Sequence, residues 1–136
     1  MSDINKKLDS IKEEFSIFLD PRDKYIYLVD LAKASEGLAN KDKLEDNRVQ
    51  GCTSQAWVIK ESKDNQLYFR TDSDAMIVKG LLSLIERSFN GHSADDIIKI
   101  DGKKFLESVG LDRAISSQRT NGFSNAIDKI QKEILG

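Results

Sequence analysis

The chain has 136 residues, of which 39% are hydrophobic and 32% charged, a balance that suits one globular domain and excludes a disordered chain. The formal net charge is −2, and the lysines and arginines are spread along the chain, so no electrostatic argument favours nucleic-acid binding. No apolar run is long enough to cross a bilayer, and residues 1–7 lack the apolar stretch of a signal peptide, so we expect a cytoplasmic protein with no membrane contact.

Two amphipathic helices are predicted at the N-terminus. The first carries an apolar stripe in steps of four and three and is expected to end near Leu19; the stripe consists of Ile4, Leu8, Ile11, Phe15 and Phe18. Asp20 suits the N-cap and Pro21 the first position of the second helix. Gly37 is the expected terminator of that helix, and its inner face is predicted to consist of Tyr25, Leu28, Leu31 and Ala32.

A β-hairpin is predicted around residues 56–71, after a polar surface connection at 39–46. Apolar residues fill both faces of 56–59, and a second apolar run follows at 67–69. The turn-rich segment Ser62-Lys63-Asp64-Asn65 separates the two runs, which is typical of an antiparallel hairpin.

The most apolar helix is predicted from Ala75 to Phe89. Apolar residues cover more than half of its circumference, which indicates a central, mostly buried helix. Ser73 or Asp72 can cap its N-terminus, and Asn90-Gly91 is expected to end it.

Three further helical segments are predicted in the C-terminal part. A short turn opens at Ser93, a short helix runs from Lys103 to Val109 before Gly110, and the last helix begins at Ser116 or Ser117. The inward face of this last helix is predicted to consist of Phe123, Ile127, Ile130 and Ile134. Two helices, a hairpin and then more helices indicate an α+β fold, and we expect a single domain over residues 1–136.

Cys52 is the only cysteine of the chain and stands directly before the hairpin. A lone thiol can be a small buried packing residue or a nucleophile, and composition alone leaves both open. Gly51 can adopt backbone angles closed to other residues, and Thr53, Ser54 and Gln55 offer hydrogen-bond donors to a thiolate or persulfide. Since the thiolate is the reactive form, a nearby cation would raise its population, and we nominate Arg119 for that part.

Four segments of the chain, in order, resemble the SufE family of sulfur-acceptor proteins. The loop Val49–Trp57 is similar to the family's Gly-Cys-x-Ser-Gln-x-Trp signature. Lys24–Leu28 resembles the family's second helix. Asp72–Leu81 resembles the start of a family helix with the pattern Asp-Ser-Asp-Ala…Ile-Val-Lys-Gly-Leu. Ser116–Gly122 resembles the family's Ser-x-x-Arg-x-Asn-Gly segment. Together these segments extend over nearly the whole chain.

This resemblance implies a persulfide relay on a fold akin to that of the IscU scaffold. Cys52 would accept sulfur from a SufS-type or CsdA-type cysteine desulfurase, stimulate that enzyme and pass the sulfur to a SufB-containing scaffold complex. No stand-alone reaction and no cofactor of its own are implied, because the pyridoxal phosphate belongs to the desulfurase. The choice between the SufE and CsdE branches and the oligomeric state, a homodimer included, stay open.

The supporting residues each have two interpretations. Arg119 stabilises the sulfur or forms a surface ion pair with a neighbouring carboxylate. Asp74 shapes the Cys52 loop or caps the central helix, and Ser54 and Gln55 bond to the sulfur or only stabilise the loop. We further expect Cys52 to rest in a partly closed apolar cavity and its loop to swing out for transfer.

Other functions are weighed against the relay. A regulatory module that stimulates a desulfurase without carrying sulfur is the first alternative. One cysteine and one histidine argue against an iron–sulfur scaffold. A thiol peroxidase or cysteine protease is the weakest, since a protease needs a histidine base and His92 is expected to be a solvated loop residue.

Overall fold

The computed structural model describes residues 3–52 and 54–136; Met1, Ser2 and Thr53, with the hydrogen bonding expected of Thr53, lie outside the described residues. Its helices and strands are α1 (Asp3–Ser16), α2 (Pro21–Ala34), β1 (Ala56–Lys63), β2 (Gln66–Ser73), α3 (Met76–Phe89), α4 (Ala94–Ile97), α5 (Gly102–Ser108) and α6 (Ser117–Leu135). Single 3-10 turns lie at Asn40–Asp42, Glu45–Asn47 and Leu111–Arg113. The predicted α+β class, with a small antiparallel sheet packed against helices, is confirmed.

The hairpin places its open end beside the segment that carries Cys52. Strands β1 and β2 are antiparallel, with Ala56 opposite Ser73 at one end and Lys63 opposite Gln66 at the other. Asp64 and Asn65 join them with φ angles of 54° and 66°, the left-handed backbone of a tight two-residue hairpin turn. The hairpin therefore extends two residues beyond the predicted range of 56–71, and its last three residues, Thr71, Asp72 and Ser73, are buried.

Helix α3 is the buried centre of the molecule, as its composition predicts. It packs against α2 on one side and β2 on the other, and most of its residues are buried. Gly80 is where α2 comes closest: a Cβ at this position would lie 2.2 Å from the Leu28 carbonyl oxygen. Only glycine permits this approach of the two backbones.

The first helix ends earlier than expected. Helix α1 stops at Ser16 rather than near Leu19, and the Phe18 amide donates a hydrogen bond to the Phe15 carbonyl at 3.1 Å in a tighter turn. The Phe18 ring leaves the helical stripe and packs on Tyr27, with 5.0 Å between ring centroids, while Leu19 is exposed. The contact between the Phe18 and Tyr27 rings therefore forms where the sequence predicts a further turn of α1.

The second helix begins as predicted and ends differently. The Asp20 carboxylate accepts from the Arg22 amide at 2.9 Å, and Pro21 is the first helical residue. Tyr25, predicted on the inner face, is at the surface with 36% of its area exposed, because the buried stripe runs through Leu28 and Ala32. The helix ends at Ala34, three residues before Gly37, so Gly37 is not its terminator.

The predicted N-cap of α3 is wrong. Ala75 occupies the cap position, and its side chain has no oxygen that could accept a hydrogen bond from the first turn. The Ser73 hydroxyl accepts instead from the Ala75 amide at 3.2 Å. Asp72 accepts instead from the Leu38 and Ser73 amides, because β2 runs to Ser73 and places Asp72 within the strand rather than at the start of the helix.

The C-terminal helices match their predicted positions within about one residue. Ser93, Asp101 and Ser116 cap α4, α5 and α6 with their side-chain oxygens. Helix α6 buries the face that packs on α3 and α5, namely Gly122, Phe123, Ala126, Ile127 and Ile130. Within the described residues, no helix combines the length and apolarity needed to span a membrane.

Candidate functional site

The segment around Cys52 forms a loop that is closed at its base. The Val49 amide donates to the Ala56 carbonyl at 2.8 Å, and Arg48 pairs with Trp57 in an isolated antiparallel bridge. Residues 50–52 and 54–55, called here the Cys52 loop, therefore leave and re-enter the sheet at adjacent points. Val49 is buried, so the base of the loop is tied to the core.

A second set of hydrogen bonds fixes the end of the loop that leads into β1. The Gln55 amide donates to the Asp74 carboxylate at 3.0 Å, and the Gln55 carbonyl accepts from the Asp74 amide at 3.1 Å. The Ser73 hydroxyl also donates to the Gln55 carbonyl, at 2.7 Å. Asp74 thus acts on the loop rather than as a helix cap, and the Gln55 contacts found here are made by its backbone.

The tip of the Cys52 loop rests on helix α6. Gly51 has a φ of 79°, and a Cβ placed there would lie 2.6 Å from Asn125 Nδ2. A Cβ placed on Gly122 would lie 3.0 Å from Cys52 Sγ and 3.8 Å from Cys52 Cβ. Two glycines, one on each partner, therefore permit the close approach of loop and helix.

Cys52 is partly buried and packs against the main hydrophobic core. Its side chain points toward α6, since its Sγ is the atom closest to Gly122. This placement shields one side of the sulfur with the helix and leaves part of the residue accessible. Ser54 is partly buried as well, whereas Gly51 and Gln55 are exposed.

Arg119 lies on the same helix, one turn before Gly122. Residues three apart on a helix are neighbours, so its position is beside the point where Cys52 meets α6. Its guanidinium donates to the Tyr25 hydroxyl at 3.4 Å. Among the ion pairs of the described residues, none includes Arg119, so the predicted partnership with a neighbouring carboxylate is not seen there.

A buried carboxylate stabilises the end of β2 that carries Asp74. Asp72 pairs with Lys43 at 3.3 Å and with Lys79 at 3.8 Å, and it accepts from the Leu38 amide at 2.9 Å. Burial raises the pKa of Asp72, but the backbone hydrogen bonds from Leu38 and Ser73 and the Lys43 ammonium outweigh it, so its pKa lies below the ordinary value.

Gly37 explains how the chain reaches this carboxylate. Its φ of 69° is in the left-handed region, and a Cβ there would lie 2.7 Å from Asp72 Oδ2. The glycine therefore allows the segment after α2 to pass over Asp72 and donate the Leu38 amide.

His92 is buried, with 9% of its area exposed, so the expectation of a solvated loop residue is wrong. Its carbonyl accepts from the Leu67 amide at 2.9 Å, and Leu67 pairs with Ser62 near the turn of the hairpin. That point is about 20 Å along the strands from the base of the Cys52 loop. The histidine base that a cysteine protease requires is therefore far from the thiol.

The described residues also contain no group of three or more histidine, cysteine, aspartate or glutamate side chains that could hold a metal ion.

Two residues of this site escape sequence reasoning. Asn125 carries no motif, and Gly122 belongs to the Arg-x-Asn-Gly segment without an assigned contact. Their spacing of three places them on one face of α6, which a helical pattern can predict. Nothing in the sequence pairs that face with Gly51 and Cys52, because the two segments are about seventy residues apart along the chain.

Comparison with known families gives a match across most of the chain. Residues 9–134 match the family SufE, described as an Fe-S metabolism associated domain. An uncharacterized SufE-like protein of Rhizobium etli is 33% identical over 130 residues, covering 93% of this chain and 88% of the relative. Another, of Rhizobium meliloti, is 34% identical and covers 95% of both.

More distant similarity extends to a plant protein and to a solved structure. The chloroplastic/mitochondrial SufE-like protein 1 of Arabidopsis thaliana is 29% identical over 136 residues, which cover 99% of this chain and 36% of the plant protein. The solution structure of a hypothetical protein from Thermus thermophilus superposes with a TM-score of 0.78 at 18% identity, covering 95% of this chain and 93% of the other. At that identity the structural match concerns the fold alone.

Proposed function

Because the chain belongs to the SufE family, which is associated with Fe–S metabolism and sulfur transfer, we propose that Cys52 is the residue that carries the sulfur. In this proposal Cys52 accepts sulfur from a SufS-type or CsdA-type cysteine desulfurase, whose activity the protein stimulates. It then delivers the sulfur to a SufB-containing scaffold complex. The observation that carries the proposal is the placement of the chain's one thiol, partly buried in a loop tethered at its base.

The transfer is a thiol exchange without net oxidation. The Cys52 thiolate attacks the outer sulfur of the desulfurase persulfide, the S–S bond of the desulfurase breaks, and its cysteine leaves as a thiolate. A new S–S bond then stands on Cys52. A downstream thiol repeats the exchange, so the carrier needs one cysteine and no resolving partner, in agreement with a chain that has only Cys52.

The loop contacts favour a resting state that shields the sulfur. Cys52 faces α6, and the Val49–Ala56 and Asp74–Gln55 hydrogen bonds all lie at the base of the loop, so the tip can move while the base stays in place. We propose that the tip swings away from α6 when a desulfurase binds, in the manner of a gating loop. Asp74 and Gln55 then define the hinge side of the loop, and Gly51 supplies the backbone freedom.

Arg119 and Ser54 are proposed to act on the sulfur itself. Arg119 is one helical turn from Gly122, on the helix that Cys52 contacts, and we propose that its positive charge favours a thiolate or persulfide anion there. Ser54 is two residues from Cys52 and partly buried, and its hydroxyl is proposed to donate a hydrogen bond to the sulfur when Cys52 leaves α6.

The remaining assignments follow from the same proposal. We propose one SufE-like domain over residues 1–136, acting without its own cofactor beside a pyridoxal-phosphate enzyme. A cytoplasmic location suits a free thiol, since reducing compartments keep such thiols unpaired. Size-exclusion chromatography of the purified protein distinguishes a homodimer from a monomer.

Mass spectrometry tests the proposal. The protein is incubated with desulfurase, pyridoxal phosphate and cysteine, alkylated, and digested. We expect one additional sulfur atom on the peptide that contains Cys52 and none in a Cys52→Ser variant. Absence of the adduct, with desulfurase shown to be active, contradicts the carrier function.

Stimulation of the desulfurase separates the carrier from a regulatory module. With sulfur transfer as the cause, Cys52→Ser loses the stimulation although it still binds the enzyme. Full stimulation by Cys52→Ser would favour a module that regulates without carrying sulfur.

A further inference from the structure

Two consecutive residues of the Cys52 loop rest on two residues of α6 that are three positions apart. Gly51 lies against Asn125, and Cys52 lies against Gly122. The spacing of three puts Gly122 and Asn125 next to each other on one face of the helix. The loop tip therefore contacts two neighbouring groups on the helix: the backbone at Gly122 and the side-chain amide of Asn125.

The helix side of this contact is rigid. Gly122 is buried, and its neighbours Phe123 and Ala126 are buried in the core with 2% and 0% of their areas exposed. On the loop side, Gly51 is exposed and Cys52 is only partly buried. When the two sides are forced apart, the loop moves and the helix stays, because interiors resist displacement more than surface loops do.

We propose that Gly122 and Asn125 are positioning residues for Cys52. Because Gly122 has no side chain, Cys52 Sγ can pack directly against the helix backbone there, and the Asn125 amide packs against Gly51. Together these two contacts hold the thiol in its partly buried orientation and determine how accessible it is. The role in sulfur transfer rests on the function proposed above, whereas the contact itself is independent of it.

Alkylation of the single cysteine measures the accessibility directly. In Gly122→Ala the added methyl group occupies the space beside Sγ and displaces the loop tip, so we expect Cys52 to react with iodoacetamide at least about threefold faster than in the parent protein. The matched control is Gly102→Ala, whose Cβ would lie 2.7 Å from Ile127 Cδ1 on α6 and whose three nearest atoms all belong to Ile127 rather than to Cys52. This control is expected to react at the parent rate.

A double-mutant cycle separates positioning from a general structural effect. Gly122→Ala has two opposed effects on the Tm of the parent: alanine favours the helix more than glycine does, and the methyl group crowds Sγ at 3.0 Å. In a Cys52→Ala background the crowding is absent, because the nearest remaining atom of residue 52 is at an ordinary contact distance of 3.8 Å, so the Tm change should be more favourable there than in the parent. Gly102→Ala should shift the Tm equally in both backgrounds. Equal shifts for Gly122→Ala overturn the proposed contact.

Asn125→Ala tests the second contact without adding any atom. Its expected result is faster alkylation, by about twofold or more, since the amide no longer bears on Gly51. Asp128→Ala is the control, because Asp128 lines the same cleft of about 540 Å³ but has no atom within 4 Å of a Cβ at Gly51. Should Gly122→Ala fail to fold, Asn125→Ala alone decides, and an unchanged rate overturns the proposal.

The outcomes distinguish this inference from the proposed function. Alkylation needs no desulfurase, so faster reaction in both variants supports the positioning role even if no sulfur reaches Cys52. Normal persulfide formation together with unchanged alkylation rejects the positioning role and leaves the carrier function in place.

Discussion

Gly80 and Gly122 each let another segment approach a helix more closely than a Cβ allows, but they face different neighbours. At Gly80 the neighbour is the Leu28 carbonyl of α2, 2.2 Å from the position of a Cβ. At Gly122 it is the sulfur of a loop residue, at 3.0 Å. The same residue type thus serves a permanent contact between two backbones in one place and a contact with a movable side chain in the other.

The surroundings of the two glycines explain this difference. Leu28 is fully buried, and α3 around Gly80 is apolar on nearly every side, so opening this contact exposes much of the core. The Cys52 loop is held chiefly by a few hydrogen bonds, each worth about 1 kcal/mol net. Local opening of the loop therefore costs far less than unfolding, which is compatible with the proposed carrier function.

The largest effect is expected from Gly80→Ala. The methyl group meets the backbone of α2, which cannot rotate away, so we expect a loss of about 3 kcal/mol or more in the free energy of unfolding. Urea denaturation measures the loss. The folded fraction should still alkylate Cys52 at the parent rate, and a variant as stable as the parent contradicts the rigid contact.

Asp72→Asn should have the second largest effect on the free energy of unfolding, and it should also change how stability depends on pH. It weakens the buried pair with Lys43 and Lys79, and we expect a loss of about 2 kcal/mol at pH 7. Because the folded pKa of Asp72 is below its unfolded value, its stabilisation is present above the unfolded pKa of about 3.9 and is lost as the pH falls through the folded pKa.

Thermal unfolding between about pH 5 and pH 2 measures the signature of Asp72. The parent should lose stability more steeply than Asp72→Asn as the pH falls. Parallel curves would show that Asp72 does not contribute to the acid sensitivity.

A smaller effect on stability is expected from Asp74→Ala, which acts on the loop. The Gln55 amide loses its carboxylate acceptor, at a cost of about 1 kcal/mol, and the looser loop should alkylate about twofold faster. Asp74→Asn keeps an oxygen acceptor and is the matched control. If both variants behave alike, the charge and not the hydrogen bond is what matters.

The smallest effect on stability is expected from Arg119→Ala, below about 0.5 kcal/mol, since the hydrogen bond that its guanidinium donates to the Tyr25 hydroxyl is long, at 3.4 Å. Loss of the positive charge should nevertheless slow alkylation of Cys52 at neutral pH. Tyr25→Phe removes the hydrogen bond and keeps the charge, so it should react like the parent. An Arg119→Ala protein with parent reactivity argues against an electrostatic role.

Much of the fold is readable from the sequence because it follows local rules. The buried stripe of α3, the N-cap at Asp20 and the helix starts at Ser93 and Ser116 are local signals, and the structure has each of them where the sequence predicts it. The errors occur where a distant partner competes with a local preference. Phe18 is predicted on the apolar stripe of α1 but packs on the Tyr27 ring. Asp72 is predicted to cap α3 but binds the Leu38 amide and the Lys43 ammonium.

By itself the sequence determined the α+β order of elements, the one thiol and the motifs that carry the SufE resemblance. The tertiary structure decided that Asp74 binds the loop, that Gly37 passes over Asp72, and that Cys52 lies on Gly122. The physical reason is range: backbone periodicity and capping act over a few residues, whereas these contacts join segments that are 19, 35 and 70 positions apart and meet only once the core has packed.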